Sequence, residues 1–239
     1  MFTPLPENIL LVDKPSGITS FDCIRILRKK LGVRKMGHAG TLDPMATGLM
    51  IIGVGEGTKR LQEFLRLPKT YEAEILLGIR TDTGDITGKT LEEFSIPNSK
   101  FSKKEIEEML RGMVGKLPLP VPAYSAIKRG GEALYKKARR GEVVDTPIKP
   151  MEITAVEFLG LFDGHSLEKG NPEVKLDPRI REDDKRGVRV RFDVTSGTYI
   201  RSLAEELGRR LGVPATLAGL RRTRIGEFRI EEAEVLDLK

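Results

Sequence analysis

Apolar residues fall along this chain in short, dense blocks separated by polar, glycine-bearing turns. Ile9-Leu10-Leu11-Val12 is an unbroken apolar run and predicts a buried strand, closed by the turn Asp13-Lys14-Pro15-Ser16-Gly17. From Ser20 to Leu31, Phe21, Ile24, Leu27 and Leu31 recur every three or four residues, and Gly32 follows. That spacing predicts a helix with Cys23 in its packing and Arg25, Arg28, Lys29 and Lys30 on the opposite face. Leu49 to Val54 again has buried-strand length. Thr58 to Leu67 reads as a short amphipathic helix stopped at Pro68, and Lys69 to Gly78 as a strand. Ser102 and Glu105 form a capping box for a helix through Gly112. Leu117-Pro118-Leu119-Pro120-Val121-Pro122 cannot be helical, and a small basic helix is predicted over Gly131 to Arg140. Met151 to Phe162 is strand-like, and Val188 to Val194 alternates strictly. Arg201 opens a helix through Leu211, stopped by Gly212 before Pro214, and Leu220 to Arg224 leads into a short tail. No repeat or linker separates two cores, and no βαβ unit recurs. The pattern predicts one α+β domain over 1–239 with a mixed, largely antiparallel central sheet flanked by helices and loops. Residues 163–187 are polar and aperiodic, and predict a mobile surface insertion.

Composition narrows the class. Hydrophobic residues make up 39% of the 239, enough for a real core. A formal charge of +6 favours an anionic partner, nucleic acid being the commonest. One cysteine, Cys23, excludes an internal disulfide, and two histidines, His38 and His165, exclude a histidine-rich metal centre. Without a run of about 20 apolar residues or a signal-like start, a soluble, cytoplasmic protein is expected.

The densest chemistry lies in Gly37-His38-Ala39-Gly40-Thr41-Leu42-Asp43-Pro44-Met45-Ala46-Thr47-Gly48. Glycines admit positive φ, and Pro44 pushes Asp43 toward an extended backbone. The run predicts a rigid loop that presents one carboxylate at the mouth of a core strand. His38 is a ligand, a stacking ring or a turn residue by its place in the motif, and Asp43 is a turn cap or a catalytic acid. Lys14 is a solvated charge or a phosphate contact, and Tyr71 a half-buried strand residue. The loop from Arg80 to Gly88 has the look of a calcium loop but lacks its regular oxygen ligands. Between Leu117 and Pro147, Lys128, Arg129, Lys136, Lys137, Arg139 and Arg140 cluster with Tyr124 and Tyr135 interleaved. The only acids near the short helix are Glu132 and Glu142 at its ends, so these cations read as a nucleic-acid clamp or a solvated hairpin.

Seven pieces taken in order carry a family resemblance. They are Leu11 to Gly17, Gly37 to Gly48, Lys69 to Ala73, Arg80 to Asp85, Ala123 to Lys128, Ser196 to Arg201 and Leu220 to Arg222. With these the chain closely resembles the bacterial tRNA pseudouridine-55 synthases, the TruB family. The resemblance implies isomerisation of uridine 55 in the T loop of tRNA to pseudouridine, with no cofactor and no metal. It implies that Asp43 is the catalytic aspartate and that Arg201 pairs with it. Tyr71, Tyr199 and Leu220 would wall the base pocket, His38 would fill the space left by the flipped base, and Lys14 would support the pocket. The segment 117–147 resembles an RNA-gripping thumb. Because the chain ends soon after Arg224, no C-terminal PUA-type domain is expected, and the protein should act on the T stem-loop as a monomer. Two other readings compete: a tRNA-binding or tRNA-folding module without chemistry, and a nucleoside N-glycosidase using the same acid.

Overall fold

The computed structural model describes residues 8–96, 101–163 and 186–237. In chain order the elements are β1 (Ile9–Lys14), α1 (Ser20–Leu31), β2 (Met36–His38), β3 (Thr47–Val54), α2 (Leu61–Arg66), β4 (Lys69–Leu77), β5 (Ile79–Thr81), β6 (Thr90–Glu93) and α3 (Lys103–Arg111). They continue with β7 (Gly115–Pro120), β8 (Lys128–Arg129), β9 (Glu132–Ala133), α4 (Leu134–Arg139), β10 (Ile148–Asp163), β11 (Arg186–Val194), α5 (Ile200–Leu211), β12 (Ala215–Ile225), β13 (Phe228–Arg229) and β14 (Glu234–Val235). Most of the expected insertion, residues 164–185, lies outside the described residues. The chain forms two compact units, Met1–Glu72 with Asp193–Ser196 and Gly219–Lys239, and Ala73–Phe192 with Gly197–Ala218. Strands β4, β11 and β12 contribute residues to both.

In the first unit β14, β1, β3 and β12 lie side by side in that order, with β2 on β3 and β13 on β12. β1 runs antiparallel to β3, with Leu11 opposite Ile51 and Lys14 opposite Gly48. β12 runs parallel to β3 and β14 parallel to β1, so the α+β sheet is mixed. Successive residues of β1 and β3 are buried regardless of parity, which explains their continuous apolar runs. One core cluster takes Ile9 and Leu11 from β1, Leu49 and Ile51 from β3, Ile225 from β12 and Phe64 from α2. The Phe64 ring meets Phe228 edge-on, with centroids 5.6 Å apart.

Helix α1 has the expected ends. Thr19 and Asp22 close a capping box, and Gly32, at φ 67°, ends the helix in the left-handed region. Its core face is not the one that apolar spacing suggests. Ser20, Cys23, Ile24 and Leu27 are buried, whereas Phe21 is 56% exposed. The Ser20 hydroxyl accepts from Leu42 N (2.8 Å) and bonds Leu42 O (3.0 Å), which turns Ser20 inward and Phe21 outward.

In the second unit β4, β11, β10 and β7 are neighbours in that order, and β10 pairs antiparallel with β7 from Ile148–Pro120 to Ile153–Gly115. Helix α3 packs on β10 and against α5. Leu76, Ile79, Phe162 and Ala218 form a buried cluster with Ile86 against it.

Two expectations need correction. The helix expected over Thr58–Leu67 begins as a 3-10 turn over Gly55–Arg60 and is α-helical only over Leu61–Arg66, because no side chain caps its start. The basic helix expected from Gly131 starts at Leu134, since Lys128–Arg129 and Glu132–Ala133 pair as a small hairpin first. Ala215 to Ile225, to which the sequence pattern assigned no element, is a strand. No helix among the described residues is long and apolar enough to cross a membrane.

Candidate active site

In the first unit the acid loop is held by its backbone. β2 delivers it, with His38 opposite Ile52, and Ala39 N donates to Ile51 O. From there to β3 its carbonyls have separate anchors. The Lys14 ammonium donates to Pro44 O (3.1 Å), Ala46 O (2.6 Å) and its neighbour Pro15 O (2.8 Å). Ser16 Oγ donates to Met45 O, Gly17 N to Pro44 O, and Ala46 N to Asp43 O. The buried guanidinium of Arg222 reaches both flanks, donating from Nε to Leu49 O (2.7 Å) and from Nη2 to Gly40 O (3.2 Å). Gly48, at φ 108°, faces Arg222 directly opposite on β12, where an added Cβ would lie 2.3 Å from Arg222 O. Beside it Arg221 makes a two-point contact with Asp13, with a shorter arm of 2.7 Å. Asp43 itself is half-buried at the centre of this brace.

Three cations are thus buried in one unit: Lys14, Lys69 and Arg222. Burial pulls the Lys14 ammonium down to about 8, while the negative charge of Asp43 pulls it back up and Arg222 pushes it down. Burial, reinforced by Arg222, likewise lowers Lys69 to about 8. Lys69 Nζ donates to Leu65 O and Leu67 O, both at 2.6 Å, which ties off the end of α2. An ammonium with three donors matches three carbonyls, so Lys14 is charged at neutral pH despite its depressed value. Replacing it with methionine would take this donor from the Pro15 and Ala46 carbonyls, while Pro44 O would keep Gly17 N. At about 1–3 kcal/mol for each buried polar group left unpaired, Lys14→Met should lower the unfolding free energy by several kcal/mol, read by urea titration. A loss below ~1 kcal/mol would mean that the brace contributes little.

The remaining predicted residues of this unit are placed as follows. His38 is half-buried, and burial first and Arg222 second lower its imidazole below the ordinary value, so the ring is neutral at pH 7. Its Nδ1 is buried without a hydrogen-bond partner among the described residues. Tyr71 is buried on β4, deeper than a half-buried strand position, and Leu220 is half-buried on β12.

In the second unit Tyr199 precedes α5 and Arg201 lies in its first turn. The Arg201 guanidinium is buried and donates from Nη1 to Thr83 O (2.9 Å) and from Nη2 to Tyr124 O (3.1 Å), with the Asp85 carboxylate 3.8 Å away. Asp85 is one of the two acids, with Asp82, of the loop from Arg80 to Gly88. Its carboxylate is occupied by the Thr83 hydroxyl, the Thr87 hydroxyl and Thr87 N, and among the described residues no cluster of potential ligands could hold a metal ion. Sequence reasoning did not single out Asp85 or Arg222 as site residues. The charge pattern carried no signal for them, since a buried Asp or Arg reads like a surface one.

In the basic segment the expectation of cations without acidic partners fails at two positions. Arg140 makes a forked contact with Glu132 (2.6 and 2.9 Å) and also meets Glu142, while Arg129 pairs with Asp145. Glu132 and Glu142 lie close enough in space to neutralise Arg140, and Asp145 lies beyond the short helix and its immediate ends. Lys128, Lys136, Lys137 and Arg139 have no ion-pair partner among the described residues, and Arg139 stacks over Tyr135 at 5.5 Å.

Comparison with known proteins points the same way. The family profile described as TruB family pseudouridylate synthase (N terminal domain) matches residues 28–200. The chain is 40% identical over 236 residues to tRNA pseudouridine synthase B of Xanthomonas oryzae pv. oryzae (strain MAFF 311018), covering 99% of this chain and 68% of that protein. It is also 40% identical over 230 residues to tRNA pseudouridine synthase B of Aromatoleum aromaticum, covering 96% of this chain and 67% of that one. Among solved structures, it superposes on a chain of a Cbf5-Nop10-Gar1 complex with a TM-score of 0.64 and 25% identity, covering 96% of this chain and 52% of that one. It thus spans about half the length of that solved chain.

Proposed function

The chain belongs to the TruB family of pseudouridylate synthases, isomerases that act on tRNA, and on that premise we propose that it converts uridine 55 of the T loop with Asp43 as the catalytic carboxylate. The reading rests chiefly on one observation: a half-buried acid on a loop whose backbone is braced from both flanks. Pseudouridine formation breaks the bond between N1 and C1′, rotates the uracil and joins C5 to C1′; the proton on C5 is lost and N1 takes one up, so the mass is unchanged. The sugar carbon passes through electron-deficient character, which a fixed carboxylate stabilises or attacks. Pre-set placement of that charge is where such a brace helps, because no reorganisation is needed during reaction. The bond is unreachable in a stacked loop, so the base must leave the stack, and Tyr71, Tyr199 and Leu220 are assigned to receive it. His38 is assigned to the vacated space, a role suited to a neutral ring. Arg201 is assigned to orient Asp43, and Lys14 to support the loop. The enzyme is taken to act in the cytoplasm, as a monomer, without cofactor. Incubation with unmodified tRNA, followed by carbodiimide mapping and mass analysis, tests this reading. A modified position 55 at unchanged mass is the expected result; loss of a base would instead mark an N-glycosidase, and no change a binding module.

The segment 117–147 is assigned to the RNA backbone, with the phosphates falling to the cations that lack carboxylate partners. Changing Lys128, Lys136, Lys137 and Arg139 together to Gln should weaken tRNA binding and flatten its salt dependence, by roughly 0.7–0.9 log–log units for each phosphate no longer neutralised. Single-turnover rates at saturating tRNA should change much less. Titrations at several salt concentrations decide it, and an unchanged slope would reduce the segment to a solvated hairpin.

A further inference from the structure

Helix α1 offers an aromatic ring to solvent next to the acid loop. Phe21 keeps 56% of its surface exposed, although it follows a residue hydrogen-bonded to Leu42, the immediate neighbour of Asp43. Its position is fixed, because the Thr19–Asp22 capping box sets the first turn of the helix. Arg28, two turns along the same face, holds its guanidinium 5.8 Å from the ring centroid and is tied by Nη2 to Met36 O. Arg25 and Lys29 share that face, and exposed Lys29 and Arg34 have no ion-pair partner among the described residues. Such an exposed face wastes apolar area unless something covers it. A rigid ring backed by a guanidinium, with the unpaired Lys29 on the same helix face, matches an unpaired nucleobase with its phosphate: the base stacks, and the cation meets the backbone.

We propose that Phe21 and Arg28 form a stacking platform for an unpaired base of the substrate RNA, outside the pocket that receives the target uracil. The proposal rests on the reading of Asp43 as the catalytic acid only for its location, since Phe21 and Arg28 both stand on α1. Phe21 is a binding residue here and takes no part in bond exchange.

The chain contains no tryptophan, so Phe21→Trp places a single indole at the platform. Phe21→Ala should weaken binding of an unmodified T stem-loop RNA by roughly fivefold to a hundredfold, the range for loss of one base–aromatic stack. Turnover at saturating RNA should stay within about twofold of wild type. Phe21→Trp should restore affinity and lose indole emission as RNA is added, whereas Phe21→Leu, apolar but without a ring face, should remain weak. Circular dichroism of each variant separates misfolding from loss of stacking, and the Trp variant reads the site even where the Ala variant folds poorly. Wild-type affinity in Phe21→Ala, an indole indifferent to RNA, or a Leu variant equal to wild type would each overturn the platform. RNA that binds with indole quenching yet gains no pseudouridine would overturn the synthase reading and leave the platform standing. Pseudouridine formation with an indifferent indole would do the reverse.

Discussion

Asp43→Asn should abolish pseudouridine formation and leave tRNA affinity within about twofold. Asparagine has nearly the same shape, and the loop is held through carbonyls and not through the Asp43 side chain alone: Lys14, Ser16, Ser20 and Arg222 all grip backbone. The substitution therefore removes one charge from a preserved scaffold, and the lost activity is read directly as lost chemistry. One side effect has a known sign. Asp43 raises the Lys14 ammonium, so its removal lets that group, already near 8, fall further. The lysine then begins to shed its proton at lower pH, and with it a donor to the loop. The comparison belongs below neutral pH, where the lysine keeps more of its charge. Single-turnover product within tenfold of wild type, about 1.4 kcal/mol in barrier, would remove Asp43 from its assigned role.

Arg201→Lys should cut turnover at least a hundredfold, about 2.7 kcal/mol, despite unchanged charge. The guanidinium uses two separate nitrogens to reach Thr83 O and Tyr124 O and keeps the Asp85 carboxylate within 3.8 Å. A lysine ammonium lacks the planar fork that spans such a set, so a charge-conserving change is not conservative here. The assigned orientation of Asp43 needs that plane. Stability should also fall, because a buried polar set loses a donor, and urea unfolding measures that loss apart from turnover. The informative readout is kcat at saturating RNA in the folded variant. Near-normal kcat would remove Arg201 from its assigned role toward Asp43 and leave its contacts with Thr83, Tyr124 and Asp85 as structural.

Much of the fold was legible because local signals agreed with the tertiary result. Helix α1 carries its own start and stop in Thr19, Asp22 and Gly32, and α3 in Ser102 and Glu105. The acid loop was legible because glycine widens and proline narrows the backbone choices wherever they stand. Other features depend on partners distant in sequence. Phe21 fitted the apolar stripe, but the Ser20–Leu42 bonds rotate the core face away from it. β12 went unread because Arg221-Arg222-Thr223-Arg224 resembles a solvated tail, whereas Arg222 is buried and donates to carbonyls of β3 and the acid loop. Lys14 and Lys69 are hidden for the same reason, since a lysine satisfied by carbonyls has no complementary side chain to find. The resemblance to a family named the site residues that periodicity could not, and their roles rest on the variants described above.

Cys23 has a practical consequence for following the thumb-like segment in solution. It is the only cysteine in the chain, it is buried on α1, and burial pushes its thiol above the ordinary value. Maleimides and other electrophiles react with exposed thiolate, which Cys23 scarcely offers. A cysteine introduced at exposed Lys136 would then be labelled selectively without first deleting the native one. A dye or spin label there would report the arrival of RNA on a background that is already silent.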